Sequence, residues 1–131
     1  NWNRLEKKRR YMKKIKIVRI TKQETDELTK QWNSQKDPDI TLEELLESNN
    51  NQTLNILRQI KNVVEWDDIE DMVNYVGLIK KSSEAKEYLE LDNDDYKLVM
   101  DVFSRAAKSK KIAGFGMEKL IQVYEQFKGA K

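Results

Sequence analysis

Three stretches of this 131-residue chain hold the residues whose types and spacing come nearest to chemistry. In "LDNDDY" at 91–96, Asp92 and Asp94 stand where the first and third ligands of a calcium loop would stand. The fifth position, however, is Tyr96, the sixth is Lys97 where that loop needs Gly, and the twelfth is Phe103 where a bidentate Glu belongs. The run therefore reads as a helix start, with a capping acid and further acids where the helix dipole favours them. "EWDDIED" at 65–71 would put Asp67 and Asp71 one turn apart as a metal pair, but it too is simplest as an acidic helix N-terminus. "KSKKIAGFG" at 108–116 joins two glycines to three lysines and could cradle phosphate on backbone N–H groups. It lacks the phosphate-loop spacing and its closing Lys-Ser/Thr, so it reads as an interhelical connection with Phe115 plugging the core.

The chain has neither His nor Cys. Disulfides and the usual structural zinc sites are excluded, and only oxygen-ligand metals remain. Any mechanism would have to use carboxylates, Lys, Tyr or Ser/Thr, and no spacing isolates a nucleophile with its base or a carboxylate pair in apolar surroundings. The expectation is a protein that is not an enzyme and holds no cofactor, with no catalytic, cofactor-binding or metal residues to nominate.

Charge is segregated along the chain. Residues 1–22 carry a net +9, residues 23–101 a net −12 and residues 102–131 a net +5. The basic ends can pair with the acidic middle of the same chain, or they can face an anionic partner, nucleic acid included. The candidate contacts for such a partner are Lys7, Lys8, Arg9, Arg10, Lys13, Lys14, Lys110 and Lys111. Trp2 and Trp32 lie in polar stretches and are candidate interface aromatics, whereas Trp66 opens an amphipathic stripe.

The elements that would position these groups follow from pattern. With 37% charged against 38% hydrophobic residues and a mean hydropathy of −0.86, apolar side chains must be placed economically, which helices with one apolar stripe achieve. No apolar run is long enough to span a bilayer or to form a signal-peptide core, so a protein of the cytoplasm without a membrane partner is expected. "MKKIKIVRITKQ" reads as a natural start at Met12, leaving 1–11 as a basic leader that is non-native or disordered, and 12–131 as a single helical domain. Ile15, Ile17, Val18 and Ile20 predict a short strand, with "EYLEL" at 87–91 as its partner. Thr41 and Glu44 form a capping box, Asn-rich "SNNNQ" at 48–52 ends that helix, and Thr53 opens the next, with Ile56, Leu57, Ile60, Val63 and Val64 on one face. Ile69, Met72, Val73 and Val76 continue the stripe begun at Trp66. Tyr96, Val99, Met100, Phe103 and Ala107, then Met117, Leu120, Ile121, Tyr124 and Phe127, predict an antiparallel helical pair. The fold class is mostly α, with at most a two-stranded β element.

This order of elements is a strand in "KKIKIVRI", a capped "TLEELL" helix, a helix with "ILRQI", "LELDNDDYKLV" leading into a helix, and a Gly-containing loop before a last short helix. It resembles the layout of small proteins encoded by tailed bacteriophages, over the 120 residues from Met12. The resemblance implies an accessory or structural assembly role, in the host cytoplasm or the virion, and carries no catalytic residues. The basic N-terminal extension departs from it. Two functions are therefore expected. One is a protein-interaction or assembly module that binds a protein partner or another copy of itself. The other is a nucleic-acid-binding protein using the basic N-terminal segment and the 108–111 lysines.

Overall fold

The alternation of Lys and Ile after Met12 produces a strand, β1 (Lys13–Lys16), which pairs antiparallel with β2 (Tyr88–Leu91) in the register Ile15 to Leu89. Period-two alternation sends Ile15, Leu89 and Leu91 inward and leaves Lys14, Lys16 and Glu90 in solvent. Beyond β1 the chain stays extended, and Ile17 N–H donates to Glu87 O at 3.0 Å. The computed structural model describes residues 12–35, 39–114 and 116–130, with no side-chain description for 113 and 114. The leader at 1–11 and Phe115 lie outside the described residues.

Two helices follow the strand. In α1 (Lys22–Gln35), Thr21 Oγ1 accepts from Glu24 N–H at 3.1 Å while Glu24 Oε1 accepts from Thr21 N–H at 3.3 Å, a complete capping box. In α2 (Leu42–Asn50), Thr41 caps Glu44 N–H at 3.1 Å, as the sequence predicts. Neither helix contains a fully buried residue. They lean on each other, and Trp32 Nε1–H closes the connection by donating to Ile40 O at 3.3 Å.

The centre of the molecule is α3 (Gln52–Val63), which buries Leu54, Ile56, Leu57 and Ile60. Its cap is Asn51, in extended backbone, rather than Thr53. Asn51 Oδ1 accepts from Leu54 N–H at 2.9 Å, and its Nδ2–H reaches across to Ser82 O at 3.0 Å. Thr53 is the second residue of the helix, fully buried, where its hydroxyl accepts from Val18 N–H at 2.9 Å. Val18 O in turn receives Gln52 N–H at 2.8 Å, so the chain after β1 is tied to the start of α3 through both backbone groups of Val18.

Asp68 caps α4 (Ile69–Glu84) and Asp92 caps α5 (Asn93–Lys108), so both acidic runs are helix starts. The inward face of α4 is Tyr75, Leu78, Ile79 and Ser82, not the Ile69, Val73 and Val76 that the sequence pattern favoured. The reason is that Tyr75 is the better core residue. Its ring packs against Trp66 at 5.4 Å between centroids and its hydroxyl donates to Leu57 O at 2.7 Å, which turns the β-branched side chains outward. A 3₁₀ turn (Lys110–Gly114) occupies the predicted lysine loop and leads to α6 (Met117–Lys128), capped by Gly116. Tyr96 O–H of α5 donates to Phe127 O of α6 at 2.9 Å and Phe103 meets Tyr124 further along, so the two helices run antiparallel. Packed on α3, helices α4, α5 and α6 with the β ribbon form one core.

Candidate functional site

The antiparallel pair leaves an apolar groove where α5, the 3₁₀ turn and α6 meet. Its volume is about 420 Å³, and Met100, Phe103, Ile112, Met117, Ile121 and Tyr124 line it. The floor is aromatic: Phe103 meets Tyr124 edge-on at 5.4 Å and Phe127 at a tilt at 5.3 Å, and Phe103 and Phe127 are buried. The rim is open, since Met117 and Ile121 each retain 50% of their accessible surface. On α6 the stripe is wider than one contact surface can cover: Leu120, Val123 and Phe127 fill the core, and Met117 with Ile121 overflow onto the surface. Lys108 and Lys111, both exposed, stand next in sequence to the groove's Ala107 and Ile112.

The nominated basic residues do not converge. Lys13 Nζ lies 5.0 Å from the centre of the Tyr96 ring, in the first turn of α5, and Lys14 is exposed opposite Glu90. Lys110 and Lys111 are exposed just past the other end of that helix. At 1.5 Å per residue the two groups are separated by roughly 20 Å. Lys7, Lys8, Arg9, Arg10 and Trp2 lie outside the described residues. Trp32 is half-buried, with its indole N–H engaged by Ile40 O in the link between α1 and α2.

Part of the charge segregation is resolved inside the fold. Arg105 of the basic C-terminal section pairs with Asp101 at 2.9 Å and Asp67 at 3.7 Å, and Lys119 pairs with Glu24 at 3.1 Å. The surface around Lys108, Lys110 and Lys111 also includes Glu65 and Asp67, so its sign is mixed. Burial alone would raise the Glu24 carboxyl, but hydrogen bonds from Lys119 and Thr21, with the Lys119 charge, outweigh it and hold the group below the ordinary glutamate value. Burial pushes the Tyr75 hydroxyl far above the ordinary tyrosine value.

A second apolar surface lies on the outer face of α4, where Ile69, Val73 and Val76 are 71%, 62% and 48% exposed. The sequence pattern identified Ile69, Val73 and Val76, and Met100, Phe103, Met117, Ile121 and Tyr124 of the groove, as apolar helical stripes, whereas Ile112 carried no such signal. No helix among the described residues is long and apolar enough to cross a membrane. No family model, no curated protein and no solved structure matches the chain.

Proposed function

We propose that this chain is a non-catalytic protein-interaction module that receives an amphipathic helix of another protein in the groove between α5 and α6. The observation that carries the reading is the half exposure of Met117 and Ile121 above an aromatic floor of Phe103 and Tyr124. A groove lined by methionine and aromatic side chains suits a helix presenting apolar residues at i, i+3 or i+4 and i+7. Lys108 and Lys111 beside it, in a section of net +5, favour a partner helix with acidic flanks. We propose an assembly role for such binding, as the resemblance of the element order to small proteins of tailed bacteriophages implies.

Fluorescence anisotropy with synthetic amphipathic helical peptides tests this. A peptide with a Leu/Phe stripe and Glu flanks should bind, its Lys-flanked counterpart should bind less tightly, and Ile121→Glu should weaken the first at least about tenfold. Failure of every such peptide, together with binding to duplex DNA that disappears as salt rises, would replace this reading with a nucleic-acid one.

A further inference from the structure

We propose that a second copy of this chain lays its α4 antiparallel across α4, forming a two-fold interface of Ile69, Val73, Val76 and Gly77. The inference uses a different face from the groove and stands without it. Residues 69, 73, 76, 77 and 80 fall on the outward side of α4, opposite Tyr75, Leu78, Ile79 and Ser82. Three large β-branched side chains exposed together in one stripe are a contact surface rather than scattered apolar residues.

Gly77 indicates what kind of object covers the stripe. It lies within a helix, where no left-handed conformation calls for glycine, and a Cβ built on it would meet nothing within 4 Å. Glycine in a helix interior costs roughly 1 kcal/mol relative to alanine, and here nothing among the described residues uses the space. A neighbouring helix could approach its backbone closely.

Charge identifies the occupant and its direction. The stripe begins beside Glu70 and the capping Asp68 and ends at Lys80. Glu70 and Lys80 form no ion pair with the described residues of their own chain. A parallel pairing would set Glu70 on Glu70 and Lys80 on Lys80. An antiparallel pairing centred near residue 75 sets each Lys80 against the acidic first turn of the other copy, Val73 against Val76 and Gly77, and the Lys80 stem over Ile69. That contact is self-complementary and closes at two copies.

Sedimentation equilibrium of the full chain tests it, with circular dichroism melts to verify folding, since all substituted positions are exposed. The wild type should be a dimer and Val73→Glu a monomer that still unfolds cooperatively, with a melt that does not depend on concentration. Glu70→Lys and Lys80→Glu should each weaken the dimer by about fivefold, because each occurs twice in a two-fold contact, and the double swap should restore it. A wild type that stays monomeric to about millimolar concentration, a dimer that survives Val73→Glu, or a double swap no tighter than either single variant would overturn the proposal. Ile121→Glu should leave the dimer intact, which separates this interface from the groove.

Discussion

Lys119 Nζ of α6 stands 3.1 Å from Glu24 Oε1 of α1, joining residues 95 positions apart. Because α1 and α2 bury no residue fully, this pair and the strand-end hydrogen bonds, such as Ile20 N–H to Asn50 O at 3.0 Å, hold them against the core. The Glu24 carboxyl is held below its ordinary value in the folded state. Its contribution is therefore complete above the unfolded value of about 4.3 and is lost as pH falls through the folded value. Glu24→Gln should cost about 0.5 kcal/mol in urea unfolding at neutral pH, with the gap to wild type closing on acidification. A gap independent of pH would mean that the ion pair contributes nothing.

The Thr53 hydroxyl is the sole hydrogen-bond acceptor of the buried Val18 N–H among the described residues. Thr53→Val keeps the shape and removes that acceptor. It should destabilise by about 1 to 3 kcal/mol, the cost of a buried unpaired N–H, and Val18 should lose amide exchange protection. A loss of only a few tenths would show that water replaces the hydroxyl.

Tyr75 is fully buried, and its hydroxyl donates to Leu57 O. Its folded-state ionisation is pushed far above the ordinary value, so the fold should keep its stability up to about pH 10 and lose it above, as the unfolded chain ionises. In a tyrosinate titration Tyr75 should stay silent until unfolding. Tyr75→Phe should cost about 1 kcal/mol.

The orientation of α4 has its own test. Leu78→Ala should cost about 2 to 4 kcal/mol, whereas Val73→Ala should stay within about 0.5 kcal/mol at concentrations where the chain is monomeric. A larger loss at Val73 than at Leu78 would mean that α4 is turned the other way. This helix also shows how far the sequence could be read. The ribbon, the caps at Thr41 and Asp92, and the α5–α6 pair follow from local signals that agree with tertiary packing. On α4 two apolar stripes compete, and spacing alone cannot say that a tyrosine with a carbonyl to bond will outrank valines. The cap "TKQE" at 21–24 was legible as a Thr-x-x-Glu motif, but the polar helix behind it has too few apolar residues to draw attention. The groove could not be read from spacing, because exposure of Met117 and Ile121 depends on how wide a face α3 and α5 cover.

The most direct measurement is photocrosslinking in the native host from benzoylphenylalanine placed at position 121, compared with position 110, with adducts identified by mass spectrometry. A groove that receives a protein helix gives one discrete protein adduct from position 121 that persists at high salt, is absent from position 110, and disappears with Met117→Glu. Nucleic-acid adducts from position 110 that vanish as salt rises, with no protein adduct from position 121, would contradict it.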